Sequence, residues 1–322
     1  MFASNPHRGP RPAILVTVLV LSALASGADA PPRTDGQTTF STPERAVEAL
    51  ITAAKAADAP ALLALFGPQG RDLLSSGDPV ADRRDREVIV IAIGQGWRLN
   101  ETDDPNRREL VIGNEQWPFP VPLVRDGSGW RFDSEAGKRE VRARRIGRNE
   151  LAAIGVCEAY VVAQKQYAAE ARDGNPAGVY AQKVRSTPDK HDGLFWPTKP
   201  GEKPSPLGDL AAQAASEGYT PTTPAPAAQP QGPRPFRGYL YRILTRQGTS
   251  APGGARSYLV DSHMTAGFAL VAYPAEYGNS GIMTFIVNQD GVVHEADLGK
   301  DTAKLAAAID AYDPDARFHP VE

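Results

Sequence analysis

RARRIGRNELAAIGVCEAYVVAQKQYAAEARDG, residues 142–174, decides how the chain is read. Its apolar side chains fall into two helical rows, Ile154-Cys157-Val161-Ala168 and Ala153-Val156-Tyr160-Ala163-Tyr167. A helix apolar over that much of its circumference has to be wrapped on more than one side. Glu158, Lys165 and Gln166 are left for solvent. Asn149 is a residue type that caps helices, so the helix is expected to start there, and residues 147–322 are expected to form a second domain. Downstream, GYLYRILT, RSYLVD, GFALVAYP, GIMTFIVN and GVVHEADL read as strands joined by short turns. One long helix followed by an antiparallel sheet that packs on it is the expected architecture of this half.

Upstream, Thr42 and Pro43 are a helix start, a cap followed by a residue whose missing N–H costs nothing in the first turn. Val47, Leu50, Ile51 and Ala54 share one face, and Asp58 opens a second short helix carrying Leu62, Leu63, Leu65 and Phe66. DPVADRRDREVIVIAI reads as a third helix, although its Val88–Ile91 run fits a buried strand equally well. From Trp97 the signals turn to strands, GWRLN, RRELVIG, FPVPLVRDG and GWRFDS, with DDPN and DGSG turns between them. The alternating prolines of WPFPVPL remove ladder donors and predict an edge strand or extended segment. The fold class is therefore α+β, with N-terminal helices on an antiparallel, cone-like meander over 40–146. Pro-rich loops are expected at 197–206 and 219–236.

Residues 1–30 read as a secretory signal peptide: His7, Arg8 and Arg11 precede the apolar run AILVTVLVLSALASG, and small residues follow. Cleavage after Ala25, Gly27 or Ala30 fits. The expected location is periplasmic or extracellular, with no stable membrane span after signal cleavage. Cys157 is the single cysteine, so the chain has no intramolecular disulfide framework and no Cys-rich zinc site. A net charge of -3 gives no electrostatic reason to expect nucleic acid. No cofactor or metal ion is expected.

Several stretches invite a chemical reading. Gly278-Asn279-Ser280-Gly281 approaches the surroundings of a serine nucleophile, but no His lies in a fitting context, and a Gly-rich turn feeding a strand is the simpler reading. His294 and Glu295 point to opposite faces of one strand and cannot form a dyad there, while Glu295 and Asp297 share a face. Asp290-Gly291 is a hairpin turn. Asp173 and Asn175 alternate like the start of a calcium loop that lacks its remaining donors. Cys157 lies on an apolar face as an inert thiol. No residue is nominated as catalytic. The binding candidates are His191, Asp192, Phe195 and Trp196 of HDGLFWP, whose aromatics in a Pro/Gly context read equally as an exposed contact surface or as packing, together with Trp117. Arg144 and Arg145 join them from a basic run that suits anionic headgroups, an acidic partner or local acids.

Three pieces, the helix ending in QKQY, the strand GFALVAYP and the closing TFIVNQDGVV, make the C-terminal half resemble the globular heads of type IV pilins and pseudopilins. The methylated Phe-Thr-Leu-Ile-Glu segment of that family is missing. FSTPERAVEAL, LLSSGDPVADR, WPFPVPLVRDGSGWRFDSEAGKREVRARRIGRNELAAI, HDGLFWP, SPLGDLAAQAA and PAEYGNSGIMTFIVNQDGVVHEADLG make the mature chain resemble domain-of-unknown-function family 2950. That resemblance implies an exported two-part protein and brings no catalytic residue. The functional expectation is an envelope assembly, scaffold or binding factor with an unidentified envelope protein as partner. The alternative is a periplasmic hydrolase or small-ligand binder with a pocket in the N-terminal domain, lined for example by Trp97, Trp117 and Asp133.

Overall fold

The computed structural model describes residues 36–75, 78–127, 129–199, 201–217, 219 and 235–321. The expected leader and residues 220–234 of the second Pro-rich loop lie outside the described residues. The fold is α+β.

Helix α1 (Pro43–Lys55) starts where the capping signal put it: the Thr42 hydroxyl accepts from the Arg45 N–H at 3.3 Å. Helix α2 (Ala59–Phe66) is capped by Asp58, which accepts from the Ala61 N–H at 3.0 Å. After a single 3₁₀ turn and the short α3 (Arg71–Leu74) comes α4 (Pro79–Gln95). The ambiguous apolar run is thus helical. Asp78 nucleates it by accepting from the N–H groups of Val80 and Ala81 at 3.0 and 3.1 Å, and Val88 and Ile91 stay exposed instead of being buried in a sheet.

Strands β1 (Trp97–Glu101), β2 (Arg107–Ile112), β3 (Trp117–Pro118), β4 (Leu123–Asp126) and β5 (Gly129–Phe132) form an antiparallel meander in the order β1-β2-β4-β5, with β3 also on β2. The prolines explain why β3 and β4 are separate: Pro120 and Pro122 have no N–H to give, and the ladder along β2 breaks around them. Val47, Leu50 and Phe66 pack against Leu110, Ile112 and Phe132 in the first core. Phe66 meets Phe132 edge to face at 5.3 Å.

Helix α5 (Ser134–Ala168) corrects the expected start at Asn149. It begins fifteen residues earlier, where Asp133 caps it through the Ala136 N–H at 3.1 Å, and runs for 35 residues, about 52 Å at 1.5 Å per residue. Nothing between Asp133 and Asn149 stops it: the stretch holds no proline, and its Ala, Glu, Lys and Arg residues favour helix. The Arg144–Arg148 stretch is therefore helical. Its first turns are fastened to the N-terminal core, the Ser134 hydroxyl donating to the Phe66 carbonyl at 2.6 Å.

The last turns of α5 serve the second core. An irregular segment and α6 (Gly208–Ser216) lead to β6 (Tyr239–Leu244). Two small ribbons follow, β7 (Arg246–Gln247) with β8 (Arg256–Ser257) and β9 (Leu259–Val260) with β10 (His263–Met264). Strands β11 (Ala269–Pro274), β12 (Met283–Asn288) and β13 (His294–Asp297), helix α7 (Thr302–Ala308) and β14 (His319–Pro320) complete an antiparallel sheet in the order β14-β13-β12-β11-β6. Ala269, Leu270, Val271 and Ala272 are all buried, so both faces of β11 are covered, and α5 and α7 both pack on it. Asp290-Gly291 makes the β12–β13 turn, Gly291 at φ +84°. Within α5, the buried Gln164 amide bonds both backbone groups of Ala181, donating at 2.8 Å and accepting at 2.9 Å, which leaves its polar atoms satisfied inside the core.

Candidate functional site

The middle of α5 is where the two cores meet, and the Gly-rich turn at 276–281 is what it meets. Arg145 donates to the Asn279 amide oxygen at 2.8 Å, and Asn149 donates to the Ser280 carbonyl at 2.9 Å. Glu150 Oε1 accepts from the N–H groups of Ile282 and Met283 at 2.8 and 3.0 Å. Ser280 is occupied within its own turn: its Oγ accepts from the Glu276 N–H at 2.9 Å and donates to the Glu276 carbonyl at 3.2 Å. The turn is a clamp between sheet and helix.

On the N-terminal side of that clamp lies a cavity of about 740 Å³, bounded by α1, α2, α4, the first half of α5 and the end of α6. Its walls are apolar: Leu50, Leu62 and Phe66 from the first core, Ile89 from α4, and Val141 and Ala152 from α5. Three large apolar residues at the surface also border it, Val88 (49 % exposed), Trp117 (37 %) and Leu151 (66 %). The charged residues lining it are six arginines (84, 86, 144, 145, 148 and 237) against three carboxylates (82, 85 and 217), an excess of three positive charges.

Polar contacts hold α4 across the opening. Arg148 grips Asp85 with both Nη atoms at 2.8 and 3.0 Å. Glu217, at the end of α6, takes Arg84 at 3.3 Å and Arg237 at 2.5 Å. Tyr219 donates to the second oxygen of Asp78 at 2.6 Å, and burial pushes the Tyr219 hydroxyl far above its ordinary pKa. Arg144 pairs with Glu140 at 2.7 Å and lies 5.3 Å from the Trp117 ring centre. Among the described residues Arg145 has only the neutral Asn279 amide as a hydrogen-bond acceptor; burial pushes its guanidinium pKa down, while Asp82 and Asp85 nearby pull it up.

Of the residues singled out in the sequence, Trp117, Arg144 and Arg145 come together at this cavity. Trp97 and Asp133 do not line it: Trp97 is in β1 and Asp133 is the buried cap of α5. His191, Asp192, Phe195 and Trp196 gather elsewhere, and of the two readings of HDGLFWP, exposed surface or packing, Trp196 takes the packed one. Trp196 is 8 % exposed, stacked on the His191 ring at 4.3 Å with Arg172 5.2 Å from its centre, and Phe195 packs half-buried on the second core. The cause is the loop's own hydrogen bonding. Asp192 receives the Thr187 N–H and the Lys183 ammonium, each at 2.7 Å, and the Tyr167 hydroxyl donates to the His191 carbonyl at 2.9 Å, which turns the ring inward. Missed altogether were Asp85, Glu217, Tyr219 and the α4 wall. The usable signal was Val88–Ile91, apolar all round a helix and so in need of more apolar neighbours than a helical hairpin provides.

A family model described as "Protein of unknown function (DUF2950)" matches residues 37–321. The chain belongs to the DUF2950 family. That match takes in the cavity, the clamp and both sheets, so the DUF2950 unit includes both halves of α5. No curated protein and no solved structure matches the chain. Among the described residues no helix is long and apolar enough to cross a membrane, and no three His, Cys, Asp or Glu side chains are grouped to hold a metal ion. The described residues lining the cavity include no Ser, Thr, Cys, His or Lys, and Asp85 and Glu217 are engaged by arginines.

Proposed function

We propose that this DUF2950 protein is an exported binding protein that holds a small molecule with an apolar body between α4 and α5. One observation carries the reading: a cavity of about 740 Å³ walled by Leu50, Phe66, Ile89 and Val141, within the roughly 300–1,000 Å³ range of small-molecule sites. Of the two functions weighed from the sequence, it favours the ligand binder over an envelope scaffold factor. The scaffold reading drew on sheet edges, the Pro-rich loop and an exposed HDGLFWP surface, and burial of Trp196 weakens the last of these. Export to the periplasm or beyond is part of the proposal, supported by the leader-like residues 1–30. The pilin-head comparison has the helix-on-sheet packing of α5 as its support and adds no binding residue.

The test is titration with the neutral fluorescent probe N-phenyl-1-naphthylamine. Saturable single-site binding is expected, weakened about tenfold or more in Ala152→Phe, whose added ring fills the cavity while the melting temperature holds. Absence of saturable binding, or a filled variant that binds as well as the parent, would overturn the reading.

A further inference from the structure

Resting on the cavity as a ligand site, we propose that its occupant is a single-chain anionic amphiphile of the fatty-acid type, its acyl tail along the apolar wall and its carboxylate on Arg145. The shape is the first reason. Lining residues run along α5 from Val141 to Ala152, eleven residue steps or about 16 Å, a trough for a chain rather than a socket for a compact head. The charge is the second. Three positive charges in excess border an otherwise apolar space, so an anion is favoured and a cation repelled.

Arg145 is the third reason and fixes the head group. Arg148 spends its fork on Asp85, Arg84 and Arg237 share Glu217, Arg144 has Glu140, and Arg86 is exposed to solvent. Among the described residues Arg145 makes one hydrogen bond, to a neutral amide, and no ion pair, with Asp82 and Asp85 acting on it from further off. A guanidinium carries five N–H donors in a planar fork shaped for a carboxylate. Half-buried and lining the cavity, Arg145 carries a partly desolvated charge that Asp82 and Asp85 offset only from a distance, and a ligand carboxylate supplies a direct ion pair. A neutral lipid would leave that charge as it is. Trp117, Val88 and Leu151 give the tail an apolar path inward.

The experiment displaces bound N-phenyl-1-naphthylamine with three amphiphiles sharing one tail, below their micellar concentrations: dodecanoate, monododecanoylglycerol and dodecyltrimethylammonium. Dodecanoate is expected to displace the probe at about tenfold lower concentration than the other two, as a charge-assisted contact implies. Arg145→Gln should remove most of that preference and Arg145→Lys only part of it, the preference being read in each variant as the ratio of the three displacement concentrations. Equal displacement by all three, or an undiminished preference in Arg145→Gln, overturns the proposal and leaves the cavity reading standing. Failure of the probe itself to bind sinks the cavity reading first. Sedimentation with anionic vesicles without displacement by monomeric dodecanoate also overturns the proposal and makes the basic rim a membrane contact.

Discussion

The two halves of α5 share a backbone and differ in what covers them. From Ala153 to Tyr167 the buried face, Ala153, Cys157, Tyr160, Ala163 and Tyr167, is closed over by strands and by the segment around Ala181. From Val141 to Ala152 the same helix borders a cavity, and Leu151 is left largely exposed. A twisted sheet presents side chains from strands less than about 5 Å apart and fills the space over a helix. A lone helix tied by a hydrogen bond at its N-terminus and by ion pairs nearer its middle, as α4 is by Asp78, Arg84 and Asp85, bridges that space without filling it. The packed half gives stability, and the bridged half gives room.

That contrast breaks most visibly by truncation. Phe285 is fully buried on β12, and Phe285→Ala should cost about 3–5 kcal/mol, whereas Leu151→Ala should stay under about 1 kcal/mol. Urea denaturation of both variants measures it, and similar costs would mean the halves are equally packed. Overpacking gives the next largest effect. A Cβ at Gly281 would stand 2.6 Å from Cζ of the buried Tyr239, which itself donates to the Met283 carbonyl at 2.9 Å. Gly281→Ala should therefore lose about 1–3 kcal/mol in the same assay, while Ala152→Phe, which grows into the cavity, leaves stability within about 0.5 kcal/mol or raises it.

What the sequence made legible was local. Thr42, Asp58 and Asp290-Gly291 act on neighbours within three residues, and each stands as read. Asn149 misled because a capping residue type says nothing about whether a chain already helical will stop; its amide works sideways, on Ser280, 131 residues away. Trp196 reads equally as surface or as packing in its Pro/Gly context, and its burial depends on Arg172, Tyr167 and His191 meeting around it. The basic run was visible, but which arginines spend their charge was not, since Asp85, Glu217 and Asn279 are all distant in sequence.

The smallest expected effect tests whether HDGLFWP is structure rather than surface. Asp192 accepts from the Lys183 ammonium and from the N–H and hydroxyl of Thr187, and these contacts hold its carboxyl well below the usual range. A carboxylate whose pKa is lower folded than unfolded binds protons more readily in the unfolded chain, so it adds stability that is complete above the unfolded value of about 3.9 and drains away as pH falls towards the folded one. Its side chain is 23 % exposed, and solvent screening keeps the contribution under about 1 kcal/mol. Asp192→Asn should therefore lower the melting temperature by a few degrees at pH 7, and the gap to the parent should narrow below about pH 4. A gap that persists unchanged at pH 3 would show that the loop is held by its packing around Trp196 and not by the Asp192 charge; no gap at either pH would leave the loop free to act as a surface, and the contrast between a sealed and an open half would have to be drawn elsewhere.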